Sequence, residues 1–328
     1  MTPRENPNLF GQGDAEHSLN EAIASGRLHH AWIISGVEGI GKATLAYRFA
    51  RRLLAGTGQG LQMAPDHPVF RRVAAKTHAD LLTVEREFDE KKKRWKKQIS
   101  AESVRGIPGF LRLTPAEGGA RVVIVDGAED LNAASANALL KILEEPPARA
   151  VLILVTSAPG RLLPTLRSRC RQLKLLPLED TAMEKTLTSI GKSVPREELQ
   201  RLLRLSQGAP GRALMLLDEG GLKLADLVDE VLSDLAREKL NLRRAYAIAD
   251  ALREESAFDL FMGLLADQIA NVAAGRTRPE LARLRPAKSW AEIWAALVAL
   301  TNETAFANMD RRQAAVAGIA LLRGEPRK

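Results

Sequence analysis

Apolar residues follow two patterns along this chain, and the change from one to the other comes near residue 178. Before it, short runs of apolar or β-branched residues occur at 31–35, 80–84, 121–125, 151–155 and 172–175. Near-continuous runs of this kind predict strands covered on both faces, since a half-exposed strand would alternate. Segments with helical spacing lie between them, 43–54 and 132–145 among them. Strands alternating with helices predict an α/β domain with a five-stranded parallel sheet, over about 175 residues. After residue 178 the strand-like runs stop. Helices rich in Leu, Ala and Arg are expected at 197–205 and 212–217, around Gly208-Ala-Pro-Gly211, and longer amphipathic ones at 258–274 and 289–301. No repeat of fixed period occurs. The turn Glu219-Gly220-Gly221 marks the next boundary. The predicted division is an α/β domain at 1–176, a small helical lid at 177–218 and an all-α domain at 219–328.

Composition narrows the setting. At 328 residues and 45% hydrophobic, the chain has enough apolar material for two or three cores. No run approaches the roughly 18 apolar residues of a membrane span, and the start, Met1-Thr-Pro-Arg-Glu-Asn, has no apolar segment behind its charges. The expectation is a cytoplasmic protein without a membrane partner. Cys170 is the one cysteine, so the chain can form neither an internal disulfide nor a thiolate zinc site, and five histidines show no metal-site spacing. A net charge of +8 suits a polyanionic partner or plain solubility, while 4% aromatic residues argue against binding single strands mainly by base stacking. The densest basic run, Asp89-Glu-Lys-Lys-Lys-Arg-Trp-Lys-Lys97, reads as a solvated loop or strand edge in preference to a DNA phosphate contact.

Candidate chemistry begins behind the first strand, at Gly36-Val-Glu-Gly-Ile-Gly-Lys42-Ala43-Thr44. This has the form of a P-loop, in which glycines let backbone N–H groups curl around phosphates and a lysine neutralises them. Gly36, Gly39, Gly41 and Lys42 fill those places. The hydroxyl that should follow the lysine as a magnesium ligand is replaced by Ala43, and Thr44 comes one residue late. One residue turns a helical side chain by about 100°, so Thr44 is expected to point away from the metal position. The strand at 121–125 ends in Asp126, as a Walker B strand does. A hydrolase of this type carries a glutamate next, and here stands Gly127. Glu129 and Asp130 follow, and the chain would have to bulge for either to reach the same point. Joint loss at Ala43 and Gly127 is what a retired hydrolase would show.

Three further segments are more specific: Leu28-His-His-Ala-Trp32, Asn137-Ala-Leu-Leu-Lys-Ile-Leu-Glu-Glu-Pro-Pro147 and Ser168-Arg169-Cys170. With these and Gly208-Ala-Pro-Gly-Arg212, the chain resembles the clamp-loader branch of the AAA+ ATPases over roughly residues 10–217, and within it a non-hydrolysing stator subunit of the bacterial DNA polymerase III clamp loader. The resemblance implies that Arg169 is an arginine finger reaching the ATP of a neighbouring motor subunit. A guanidinium placed there stabilises transition-state charge and is worth about 10³ to 10⁵ in rate. The blander reading of Arg169 is a surface ion pair. Cys170 reads as a buried packing residue, having no histidine partner. Arg212 and Thr156 fall at the sensor 2 and sensor 1 positions. Together with Gly36, Gly39, Gly41, Lys42, Thr44 and Asp126 they would form a degenerate nucleotide site, able to hold ATP or ADP without hydrolysis. No cofactor is required. Many family members carry a four-cysteine zinc module where residues 56–79 contain no cysteine, so no zinc is expected. The implied partners are tau/gamma-type motor subunits and a delta subunit, with the sliding clamp and primed DNA met through the complex. By position, the last helices would be an oligomerising collar. Two other readings stay open: an active motor ATPase, in which Thr44 or a water completes the metal shell and Glu129 is the base, and a basic nucleic-acid-binding protein that uses the α/β domain as scaffold.

Overall fold

The computed structural model describes residues 1–324 apart from 57, 59, 91–93, 118 and 219. Three lysines of the basic run and the glutamate of the Glu-Gly-Gly turn therefore lie outside the described residues. The chain forms two compact units, Met1–Ala213 and Leu214–Lys328.

In the first unit, α1 (Gly13–Ala24) precedes β1 (Ala31–Ser35), α2 (Lys42–Ala55), α3 (Pro68–Ala74) and β2 (Leu81–Val84). A short antiparallel pair follows, β3 (Phe88–Asp89) with β4 (Arg94–Trp95), then α4 (Ala101–Arg105), α5 (Ile107–Arg112), β5 (Arg121–Asp126), α6 (Ala133–Glu144) and β6 (Ala150–Thr156). After α7 (Pro164–Arg167) and β7 (Arg171–Lys174), the chain turns helical, with α8 (Asp180–Ser189), α9 (Arg196–Ser206) and α10 (Pro210–Leu217), the last of which contains the boundary between the units.

The sheet has five parallel strands in the order β2-β5-β6-β1-β7. All five expected strands are there, each end within one residue of its predicted place. The strand expected at 80 starts at Leu81, because Asp80 serves as an anchor. Its carboxylate accepts from the Ala116 and Glu117 amides and lies 3.3 Å from the Arg121 guanidinium. The β3–β4 pair was not foreseen; part of the run read as a loop or strand edge folds as a small hairpin.

Apolar strands are buried because helices cover both faces. Side chains alternate across a strand, so Ile33 of β1 joins Val123, Val125, Leu152 and Leu154 under Leu139 and Ile142 of α6. Trp32, one residue away, meets Phe49 of α2 edge-on at 5.7 Å on the other face. Burying each such side chain contributes about 1.5–3 kcal/mol. Helix α6 starts where Asn132 Oδ1 accepts from the Ser135 amide at 2.8 Å, a side-chain cap for an otherwise orphan N–H. It stops before Pro146-Pro147, which cannot continue it.

The second unit is helical throughout its described residues: α11 (Gly221–Ala236), α12 (Leu242–Ala249), α13 (Glu255–Ala273), α14 (Pro279–Ala282), α15 (Ala287–Ala307) and α16 (Arg311–Arg323). Phe258, Phe261 and Leu265 of α13 and Trp290 and Leu297 of α15 are buried in its core. No described helix is long and apolar enough to cross a membrane.

Candidate functional site

Parallel strands put all their carboxyl ends on one edge of the sheet, the usual place for a ligand in such folds. Ser35 lies beside Thr156 in the register, and Asp126 beside Val155. The loop between β1 and α2, the end of β6 and the end of β5 are thereby gathered at that edge.

The loop has the backbone that a phosphate cradle needs, with φ of +74° at Gly39 and +101° at Gly41, the residue capping α2. Gly36 opens it, against the Leu175 carbonyl. Lys42 is only 7% exposed, and its Nζ donates to the Val37 carbonyl at 2.8 Å and to Ser157 Oγ at 2.9 Å. Burial pushes its pKa down, against the pull of Glu129, Glu38 and Asp126. Ser157 was missed by sequence reasoning, having no signal beyond being a polar residue at a strand end. It also ties in Glu129, whose Oε1 accepts from the Ser157 amide at 2.8 Å. The bulge needed for Glu129 to come near is present: Gly127 takes φ of +81°, and the chain makes one tight turn over Ala128–Asp130.

The remaining residues of this edge are less open. Asp126 is held above the usual carboxylate range by burial first and by the Glu85 carboxylate second, with Lys42 opposing. Thr156 is buried and its Oγ1 accepts from the Ala158 amide at 3.1 Å, a local turn. Thr44 is buried in α2, while Ala43 is half-buried at the helix start and offers no oxygen. The residues fit a phosphate group, through the glycines and Lys42. For a magnesium ion Ala43 offers no oxygen and Gly127 no carboxylate, while Glu129 Oε2 is buried without a hydrogen-bond partner.

Arg212 comes to the same edge on the first turn of α10, and its segment approaches through its backbone. The Gly211 amide donates to the Gly39 carbonyl at 2.8 Å. A Cβ on Gly211 would lie 2.6 Å from Gly39 Cα, and one on Gly39 would lie 3.0 Å from the Arg212 nitrogen. Two glycines 172 positions apart let the α10 segment close on the apex of the P-loop.

Arg169 is at the other edge. Arg171 pairs with Trp32 and Lys174 with Ser35, so β7 begins where β1 begins, and Arg169 precedes it. The length of β1, roughly 13 Å at 3.3 Å per residue, separates it from its own P-loop. That exceeds the reach of an arginine side chain. Its Nη1 donates to the Thr165 carbonyl at 2.9 Å, and its Nη2 pairs with Glu144 Oε1 at 3.0 Å. The side chain is 37% exposed, and ion pairs this exposed contribute roughly 0–1 kcal/mol. Cys170 next to it is buried in the core, and burial pushes its thiol up to about 12, which suits packing and not nucleophilic attack. Nearby, the His30 ring is tied to the end of α6, Nε2 to the Leu143 carbonyl at 3.1 Å; a carbonyl only accepts, so that nitrogen carries the proton. Segments 28–32, 137–147 and 168–170, far apart in the chain, meet here.

Both edges fall within one family match. The sequence profile of the family described as "DNA polymerase III, delta subunit" matches residues 11–179. The chain belongs to this family. All the site residues except Arg212 lie inside the matched span. Among relatives of this delta-subunit family member, DNA polymerase III subunit delta' of Pseudomonas aeruginosa is 38% identical over 192 residues, covering 58% of this chain and 56% of the relative. The protein of the same description from Escherichia coli K12 is 38% identical over 200 residues, covering 60% and 57%. DNA polymerase III subunit tau of Escherichia coli K12 is 29% identical over 221 residues, covering 66% of this chain and 33% of the relative. This chain thus spans just over half the length of the delta' relatives it matches.

Proposed function

We propose that this chain is the delta-prime subunit of a bacterial DNA polymerase III clamp loader, a stator that does not hydrolyse ATP and lends Arg169 to a neighbouring subunit. The observation that carries the reading is the separation of the two edges. Arg169 is out of reach of its own P-loop, and that P-loop lacks the residues that would use it. A guanidinium exposed on the far edge suits a phosphate held by another chain. Similarity to a tau subunit across the same region fits neighbours of related build, tau/gamma-type motors that keep the hydrolytic groups, together with a delta subunit. Through them the complex would open a sliding clamp and close it on primed DNA, in the cytoplasm. No cofactor or zinc is needed for that role. The P-loop could retain ATP or ADP as a structural ligand.

The all-α part supports a collar. Along α15, Ala291, Trp294, Ala295, Val298 and Phe306 stand exposed on one stripe, as on a helix that packs against another chain. The motor-ATPase reading is less well supported, because Ala43 offers no oxygen to a metal ion and Gly127 stands where a hydrolase carries its glutamate.

The direct test is steady-state ATP hydrolysis by the purified chain with magnesium, with and without clamp and primed DNA. The reading expects turnover no higher than a buffer control. Clear turnover abolished by Lys42→Ala would make this chain a motor and overturn it.

A further inference from the structure

We propose that Glu144 is the positioning residue of Arg169, fixing the direction in which its guanidinium faces the neighbouring subunit. This rests on the reading that Arg169 acts in trans and adds the device that aims it.

A guanidinium has five N–H donors in a rigid plane. One is held within the chain by the Thr165 carbonyl at the start of α7, and Nη2 forms an ion pair with Glu144 Oε1 at the end of α6, 3.0 Å away. The hydrogen bond and the ion pair together narrow the directions open to the guanidinium, and its remaining N–H groups are left for an incoming phosphate. A finger that has lost its freedom before binding gives up less entropy on reaching the transition state.

Glu144 suits this task because the element that carries it is itself anchored. It is the last residue of α6, and the preceding Leu143 carbonyl is bonded to the His30 ring just ahead of β1. The following Pro146-Pro147 prevents the helix from fraying into another turn. The guanidinium is thereby referenced to the central sheet through α6. Its partner is too exposed to matter much for folding, so directing the arginine is the contribution left to it. Water would be displaced from the pair once a neighbour covers it, and the Coulombic attraction would then strengthen.

The test uses the loader reconstituted from this full chain and its tau/gamma-type and delta subunits, with clamp-stimulated and DNA-stimulated ATP turnover resolved into kcat and KM. Glu144→Ala is expected to lower the kcat that depends on Arg169 by about tenfold with KM unchanged, the signature of an interaction used only in the transition state. Glu144→Asp, which keeps the carboxylate on a stem one methylene shorter, should recover part of that loss. In an Arg169→Ala background, Glu144→Ala should have no further effect. Normal turnover in Glu144→Ala, alongside a loss in Arg169→Ala, would overturn the positioning role and leave the donor reading intact. An equal loss from Glu144→Ala with or without Arg169 would also overturn it, as a purely structural effect. No loss in Arg169→Ala would remove both.

Discussion

The two edges of the central sheet each carry recognisable motifs and hold them in different ways. At the carboxyl edge the P-loop keeps its glycines and lysine, yet its polar groups are turned inward: Lys42 to Val37 and Ser157, Glu129 to Ser157, Gly39 to Gly211. At the amino edge Arg169 stands partly exposed, its guanidinium held on one side by Thr165 and Glu144. At one edge the polar groups named are bonded to their own chain, and at the other a guanidinium faces outward in part. On the proposed reading, a motif can outlive its chemistry where it has become part of the packing, while a side chain that acts on a neighbour needs to stay accessible.

The largest expected effect comes from breaking the outward edge. Arg169→Ala should slow the neighbouring ATPase site by on the order of 10³-fold in a reconstituted loader, the lower range for losing an arginine finger. Single-turnover hydrolysis at that site is the readout, and an unchanged rate would erase the contrast between the edges. Sealing of the inward edge is next. Gly211→Ala drives a Cβ to 2.6 Å from Gly39 Cα, which neither backbone can avoid. A cost of about 1–3 kcal/mol follows from overpacking, and a fall in Tm of about 2–4 °C for each of them. Unchanged melting would mean that the α10 segment does not close on the P-loop.

The smallest effect sharpens the same contrast through pH. Asp126 has its pKa raised by burial and by Glu85, so its stabilising contribution is full below the unfolded pKa and is lost as pH rises through the folded one. At pH 8 the buried charge is unfavourable. Asp126→Asn should therefore melt slightly higher than the parent at pH 8, with the gain shrinking as the pH is lowered towards that of a protonated carboxyl. A lower Tm at pH 8 would mean that the charge is needed at this edge.

Most of the sheet was legible because its strands are covered on both faces, and a buried strand must be a continuous apolar run, as at 121–125 and 151–155. The P-loop was legible because its glycines have a fixed spacing. The β3–β4 hairpin was not, since two paired residues on each side give no periodicity to detect. Neither was the approach of Glu129: it depends on a positive φ at Gly127, and a glycine in sequence permits that without requiring it. The contact between Gly39 and Gly211 is one of backbone to backbone, so no side chain announces it. The pairing of Arg169 with Glu144 joins two motifs that were each visible, but only the fold brings the end of α6 beside the start of β7.

The most direct test of a donor that is not a consumer sets Lys42→Ala beside Arg169→Ala in the same reconstituted loader and compares ATP turnover with clamp and primed DNA present. Lys42→Ala is expected to stay near the parent, while Arg169→Ala loses the turnover of the neighbouring site. Turnover lost with Lys42→Ala and kept with Arg169→Ala would contradict it.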